Sequence, residues 1–358
     1  MANRQFAGRG AGFNPPNRFE EISIERAPED LAQYFEDPDP DRTILTKFYF
    51  DHTKSILAKN DSPDLGFTYS LNPYRGCEHG CIYCYARPSH EYLGFSSGID
   101  FESKILVKMD AAKLLKESFL HKSWIPQTIL MSGETDCYQP VERKLQLTRE
   151  CLKVFLAFRN PVSIITKNAL VRRDLDILKD LAALELVNVT ISVTTLDESL
   201  ARRMEPRTSS PATRLETVKA LSSNGIPVSI NIAPLIPGLN DVEIPLIARQ
   251  AAECGASGLN YSIIRLPYAV RDLFLDWLKR ELPEKAQKIE SRIRSVRDGK
   301  LNDSNFGIRM SGEGKIAESI DQLFKTSRDK YGLGKSNLRL RKDLFVRNVL
   351  QRDLFSGN

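Results

Sequence analysis

The chain has 358 residues, of which 41% are hydrophobic, 27% charged and 8% aromatic. Those fractions match ordinary folded domains and exclude collagen-like, wholly disordered and membrane-embedded classes. The formal charge is +5, from 51 basic and 46 acidic residues, which permits contact with nucleic acid without demanding it.

The length suits two ordinary domains or one large α/β barrel with appendages. The opening MANRQFAGRG has no apolar stretch of the secretory kind, and no segment approaches the roughly 18–20 apolar residues of a membrane helix. No membrane association is expected. Six cysteines are too few for a disulfide scaffold, and three of them crowd into residues 77–84. The expected setting is cytoplasmic and reducing, with a metal site.

In chain order, residues 1–20 hold Gly8, Gly10, Gly12, Pro15 and Pro16 among Arg4, Arg9 and Arg18, and read as a flexible arm. Residues 36–41 form an acidic, proline-broken linker, so 1–60 is read as arm plus linker, with an extended run at 43–50. From Gly66 onward, β-prone runs at 67–71, 128–131, 162–166, 187–193, 228–232 and 259–264 alternate with amphipathic segments at 141–158, 169–184, 214–223 and 244–253. Six such repeats predict a parallel sheet with right-handed crossovers, open or closed, over residues 61–270. A hairpin is expected at 94–107. Beyond 270 the strand signal fades into charged helices at 271–295 and 316–324. The tail at 335–352 carries Lys335, Arg339, Arg341, Lys342, Arg347 and Arg352 against the single acid Asp343. Residues 271–358 are thus a helical, basic extension whose tail is either solvated or touches phosphates.

Parallel sheets of this kind carry chemistry at the C-terminal ends of their strands. The first strand runs into Gly76-Cys77-Glu78-His79-Gly80-Cys81-Ile82-Tyr83-Cys84-Tyr85, a C-x3-C-x2-C spacing. Fully extended, this run would cover roughly 23–25 Å, so the loop must curl for three sulfurs to reach one centre. Gly76 and Gly80 supply the permissive backbone. Thiolates so spaced suit zinc or an iron–sulfur centre. Structural zinc needs a fourth ligand, and His79 lies awkwardly two residues from both Cys77 and Cys81. Three unliganded core cysteines are the bland alternative. A cubane cluster on Cys77, Cys81 and Cys84, with one iron left open, fits the spacing best.

At the other strand ends, Lys167 is placed to meet a carboxylate in the barrel mouth. Ser192, Thr194 and Thr195 offer hydroxyls to a ribose or carboxylate, and Arg207 offers a bidentate clamp. Ser132-Gly133-Glu134-Thr135-Asp136-Cys137 reads either as an ammonium site, where glycine lets backbone oxygens approach closely, or as a capped turn. His90 and Glu91 follow the cysteine loop and are candidates for the substrate side. His52 and His121 read as ordinary surface histidines.

The cysteine loop, with an aromatic before its third thiol and a βα repeat behind it, resembles the radical S-adenosylmethionine (SAM) superfamily. The resemblance implies a partial (β/α)6 barrel of the TIM type with terminal extensions, a [4Fe-4S] cluster on Cys77, Cys81 and Cys84, and SAM bound to the open iron. One electron, from a reductant such as flavodoxin or ferredoxin, would cleave SAM to methionine and a 5′-deoxyadenosyl radical that abstracts hydrogen from substrate. It further implies that Gly133, Glu134 and Thr135 lie at the SAM amino group. Tyr83, Lys167, Ser192 and Arg207 would line the cofactor, and Asn231 would face its sugar.

Within the superfamily, Cys81-Ile82-Tyr83-Cys84-Tyr85, Lys167 and Ser192 are similar to the spore photoproduct lyase group, often labelled DNA repair photolyases. GRGAGFNPPNRFE and TDCYQP resemble an uncharacterised bacterial branch of that group. The likeness gives Tyr83 and Tyr85 a part in hydrogen-atom transfer and leans toward DNA or RNA as substrate, with a protein or small molecule left open. One departure stands out. The lyase's hydrogen-donating cysteine lies three residues before an Asp, and counting back from Asp136 reaches Gly133. The lyase reaction itself is therefore not expected, with Cys137 kept as a relocated donor. Two other readings remain: a zinc-stabilised nucleic-acid-binding module, and a cluster-carrying redox protein without SAM chemistry. Oligomeric state is not legible.

Overall fold

The computed structural model describes residues 8–19, 44–334 and 339–347. The acidic linker expected at 36–41 lies outside them. Six strands run parallel, in chain order, across one sheet: β3 (Tyr69–Leu71), β6 (Ile129–Met131), β7 (Val162–Thr166), β8 (Val187–Ser192), β9 (Val228–Leu235) and β10 (Gly258–Ile263). β2 (Leu57–Lys59) pairs antiparallel to β3 at the outer edge. A second, three-stranded sheet has the order β1 (Lys47–Phe50), β5 (Lys104–Val107), β4 (Tyr74–Arg75).

Among the described residues the large sheet stays open, giving a partial barrel. Its free edge at β10 is covered from the C-terminal side. Leu259 donates its N–H to Leu333 and Ile263 donates to Met310. Buried Val, Ile and Leu side chains of the central strands face helices outside and polar residues at one end inside, the pattern of a sheet covered on both faces.

The crossovers are helical: α2 (Ala111–Leu120), α3 (Glu142–Leu145), α4 (Leu147–Phe158), α5 (Leu175–Ala183), α6 (Glu198–Met204), α7 (Pro211–Ser223) and α8 (Ile244–Glu253), then α9 (Ala269–Glu281), α10 (Pro283–Ser295) and α11 (Gly314–Lys330). The single helix expected over 141–158 is two. Gln146 takes a left-handed conformation, φ 55°, and the buried Glu142 carboxylate turns back to accept the N–H of Thr148, which satisfies an orphan donor at the start of α4.

Two expectations are corrected. Residues 94–107 form α1 (Ile99–Ser103) and β5, with β5 parallel to β1. The buried acid Glu102 of α1 is held by Gly10, Ala11 and Arg87, partners too far away in sequence for a local hairpin pattern to register them. Residues 8–19 are packed, where a flexible arm was expected. Arg9 donates to the carbonyls of Glu102 (2.5 Å) and Ile44 (2.6 Å), Gly10 and Ala11 donate their N–H groups to the Glu102 carboxylate, and Asn14 bonds Asp100. Finally, residues 339–347 cross the end of the barrel where strands begin. Val346 donates to the carbonyl of Phe158 and Arg341 to that of Glu185, just before β7 and β8.

Candidate active site

The loop between β4 and the 3-10 turn Arg87–Leu93 is held on all sides. Gly76 and Gly80 have positive φ, 77° and 66°. Cys77 N–H donates to Phe101 O and Ile82 N–H to Met204 O. Gln139 accepts the N–H of Glu78 and donates to Gly76 O, while the Glu78 carboxylate accepts the N–H of Val141. Arg87, fully buried, gathers five carbonyl contacts and the Glu102 carboxylate, including two bonds to Cys81 O at 3.0 and 2.9 Å. A buried guanidinium is tolerable only with such complete pairing. It fixes the backbone between the second and third thiols.

All six cysteines are free. Cys77 and Cys81 are buried and Cys84 nearly so. Burial pushes all three thiols up, and for Cys77 the other two thiols push further, so the three sulfurs lie within one electrostatic neighbourhood. Backbone N–H groups of Asp136 and Ala86 face the sulfurs of Cys77 and Cys84, and the positive charge of Lys167 faces Cys81 and Cys84; each favours the thiolate. Among the described residues no three His, Cys, Asp or Glu side chains converge on a single ion.

The strand ends meet over this loop. Asp136, after β6, accepts from Thr166 Oγ1 and Lys167 N–H, both 2.8 Å, and faces His79 Nδ1 at 3.4 Å. Burial opposes its charge, but the His79 contact and these donors hold its carboxyl below the usual range. His79 Nε2 lies 3.1 Å from Asn168 Nδ2, so both ring nitrogens are engaged. Deeper in, the fully buried Glu205 receives Tyr83 Oη, Thr194 Oγ1 (2.5 Å) and Arg214, with Lys167 Nζ 3.4 Å away. Lys167 also donates to Ala233 O at 2.9 Å. Burial brings the Lys167 ammonium down to about 8, with Arg214 adding to the effect.

Gly133 packs on β3: an added Cβ would stand 3.0 Å from Ser70 Cβ. Its carbonyl accepts Tyr85 Oη at 2.6 Å. Asn72 Oδ1 accepts the N–H groups of both Glu134 and Thr135. The Glu134 carboxylate has no hydrogen-bond or ion-pair partner among the described residues, and its charge reaches Cys84 and Tyr85. Asn231, in register with Ser192 and Asn260, leaves its Oδ1 buried and unpartnered.

Other expected residues stand elsewhere. Arg207 lies 3.6 Å from Glu78, outside the Glu205 group. Ser192 contributes its carbonyl to Arg214. Cys137 is wholly buried in the main core. His90 and Glu91 are buried behind the cysteine loop, His90 against Phe95 and Phe101 and Glu91 against Arg18, and do not line a substrate side. His52 and His121 are exposed. Sequence reasoning missed Glu205, Arg214, Arg87, Gln139 and Asn72. The break at Glu205-Pro206 was the one local signal, since a buried acid ending a helix asks for a partner.

A family model for the Radical SAM superfamily matches residues 71–251. The chain belongs to this superfamily. An uncharacterised protein of Mycobacterium tuberculosis is 36% identical over 234 residues, covering 64% of this chain and 69% of that one. An uncharacterised protein of Methanocaldococcus jannaschii is 34% identical over 178 residues, 50% and 64% of the two chains. Among solved structures, a cysteine-to-serine mutant of spore photoproduct lyase has a TM-score of 0.57 at 15% identity, covering 87% of this chain and 85% of its own. Spore photoproduct lyase complexed with a dinucleoside spore photoproduct has a TM-score of 0.55 at 14% identity, covering 81% and 80%. At those identities the likeness is one of fold.

The superfamily implies a [4Fe-4S] cluster and SAM, and the donor types gathered at the cysteine loop and strand ends are chemically suited to both. Three clustered thiols meet backbone N–H groups and a lysine. Glu134 and the Asn231 oxygen are the unsatisfied acceptors at the strand ends.

Proposed function

We propose that this chain is a radical SAM enzyme whose Cys77, Cys81 and Cys84 hold a [4Fe-4S] cluster, with SAM on the remaining iron and nucleic acid as substrate. The observation that carries the reading is the set of three free thiols at C-x3-C-x2-C spacing, two buried and one half-buried, in a loop pinned by Arg87, Gln139 and Glu78. When bound, the pair supplies one-electron cleavage of SAM and a 5′-deoxyadenosyl radical, given a reductant such as flavodoxin or ferredoxin.

The chain's own residues bind and orient. Glu134, with no partner of its own, takes the SAM ammonium beside Gly133. Asn231 Oδ1 receives a ribose hydroxyl, which ends its unmet hydrogen-bond demand. Lys167 stands between Glu205 and the Cys81 and Cys84 thiolates, and its positive charge favours their ionised form. Tyr83 is tied to Glu205 and serves as a strut under the loop, whereas Tyr85, 50% exposed, stands at the mouth where hydrogen-atom transfer would occur.

Nucleic acid is favoured by the lyase-type fold, whose solved relative carries a dinucleoside ligand, and by the net positive charge. The lyase's own reaction is not carried over, because glycine stands at the donor position and Cys137 points into the core. Zinc is disfavoured because His79, the nearest candidate fourth ligand, is committed to Asp136 and Asn168.

The test is electron paramagnetic resonance of anaerobically reconstituted, dithionite-reduced protein with and without SAM. A [4Fe-4S]+ signal that shifts on adding SAM, with 5′-deoxyadenosine formed on turnover, is the expected outcome. A cluster signal indifferent to SAM, or zinc in place of iron, would overturn it.

A further inference from the structure

Arg265 lies two residues past the end of β10, on the side of the barrel where the other strands deliver their functional residues. Its guanidinium sits over the Tyr85 ring, 5.4 Å from the centroid, and Tyr85 is bonded to the Gly133 carbonyl. The nearest cation is Arg309, which is already committed: it makes two bonds to Asp64, at 2.6 and 2.5 Å. Among the described residues no carboxylate pairs with Arg265 directly: the charge of Asp64 reaches it, but the Asp64 oxygens are held by Arg309. The one hydrogen-bond contact of Arg265 is a long one to Met310 Sδ, 3.9 Å, and its Nε is buried with no partner at all.

A half-buried guanidinium with an unmet donor is costly to hold unless something completes it. Arg87 and Arg214 show the alternative, saturated by carbonyls and an acid each, and even Arg297, whose Nε is also unpaired, sets both terminal nitrogens on backbone carbonyls. Burial and the neighbouring Arg309 both press against the Arg265 charge, and Tyr85 and Asp64 offset them only in part. The flat surfaces beside it are aromatic. Tyr85 lies on one side, and on the other Arg309 covers the exposed Phe306 ring at 4.6 Å. Tyr85, Arg265, Arg309 and Phe306 thus form a short run of ring, cation, cation, ring at the mouth. That is the arrangement that receives a phosphodiester and an unstacked base together.

We propose that Arg265 is the phosphate receptor of the substrate site, taking a backbone phosphate next to the nucleotide presented to Tyr85. The choice of phosphodiester rests on the nucleic-acid reading above; the anion site itself does not.

Two measurements separate the two claims. The first follows phenylglyoxal modification of Arg265 in the reconstituted protein by peptide mass mapping, with and without inorganic pyrophosphate. Saturable slowing at Arg265, with exposed Arg271 unaffected, is expected. The second measures a fluorescent single-stranded oligonucleotide by anisotropy across a salt series, for wild type, Arg265→Gln and Arg265→Lys. Arg265→Gln should bind about tenfold more weakly, with the slope of log K against log salt reduced by about 1. Arg265→Lys should keep the slope and lose part of the affinity, because the charge remains without the bidentate fork.

Pyrophosphate protection with no oligonucleotide binding by wild type would leave the anion site standing and sink nucleic acid as its source. No protection, with unchanged binding and slope in Arg265→Gln, would overturn the proposal. So would protection by SAM together with loss of the SAM-induced change in the cluster spectrum of Arg265→Gln, since Arg265 would then belong to the cofactor.

Discussion

Cys81 and Cys137 are both buried thiols, yet their surroundings differ in kind. Both touch the main core, but Cys81 lies in the glycine-containing loop with the Lys167 and Arg214 charges favouring its thiolate, whereas Cys137 faces the charges of Asp136 and Glu142, which oppose ionisation, with the Ser132 and Thr148 hydroxyls beside it. Cys81→Ala is therefore expected to lose the cluster, read as iron and sulfide content after reconstitution, while far-ultraviolet circular dichroism stays near wild type. Cys137→Ala should keep iron content and 5′-deoxyadenosine formation and cost about 1 to 2 kcal/mol in urea unfolding, the range of a small core truncation. Loss of SAM cleavage in that variant without loss of iron would restore Cys137 to the chemistry. His90 supplies a pH test. Its ring nitrogens lack well-formed hydrogen bonds, and burial drives its pKa from 6.5 to about 4. The unfolded chain then binds a proton that the folded chain refuses, so stability is full above pH 6.5 and falls as pH drops toward 4. Between pH 7 and pH 5 this one residue is expected to account for about 2 kcal/mol. His90→Phe, which keeps a ring between Phe95 and Phe101, should unfold with a shallower pH dependence over that interval. Equal slopes for the two proteins would rule the residue out.

At the scale of elements, the parallel strands were legible because each is a short β-prone run followed by its own helix, a pattern written locally in 162–166 or 244–253. What was not legible depends on distant partners. Glu205 has Arg203 and Arg207 two residues to either side but pairs with Arg214, and its other neighbours come from the cysteine loop (Tyr83) and two strand ends (Thr194 and Lys167). The N-terminal residues were misread for the same reason. A run such as Gly8-Arg9-Gly10-Ala11-Gly12 carries no periodicity, so nothing local reports that Arg9 finds Glu102 far along the chain or that Gly10 lies on the cysteine loop. A Cβ on Gly10 would stand 1.9 Å from Gly80 O, and one on Gly12 2.6 Å from Arg280. Gly10 is required by close approach of the Gly80 backbone, whereas Gly12 meets only side-chain ends, and Gly10 makes this segment a wall of the thiol loop. Gly10→Ala is expected to lift that wall and speed iron release to an external chelator several-fold. Gly66→Ala, where an added Cβ meets nothing, serves as the control. Equal release rates would mean that the wall does not shield the site.

The molecule as a whole has two ends with different work. Strands deliver Gly133, Lys167, Thr194, Asn231 and Arg265 to one end, where the sequence predicted chemistry from the direction of a parallel sheet. The basic tail, which composition alone left between a solvated segment and a phosphate contact, crosses the other end over residues 339–347. Phe345 packs edge-on to Phe119 at 6.0 Å and lies 6.3 Å from Phe158. Arg347 donates to the carbonyls of Phe119 and Trp124, and Arg341 is spent on Asp343. In this segment Arg347 acts as a strut to a strand-entry loop and Arg341 pairs locally, remote from the mouth. The two ends should therefore respond independently to mutation. Phe345→Ala is expected to lose about 2 kcal/mol, since the ring is half-buried and its removal opens a gap against two phenylalanines. The shift of the cluster spectrum on adding SAM should be unaltered. Arg341→Gln combined with Lys342→Gln should leave the salt slope of oligonucleotide binding as in wild type, in contrast to the loss of about 1 expected for Arg265→Gln. A slope lowered equally by the tail pair would place phosphate on the strand-entry face and require the substrate to span both ends of the barrel.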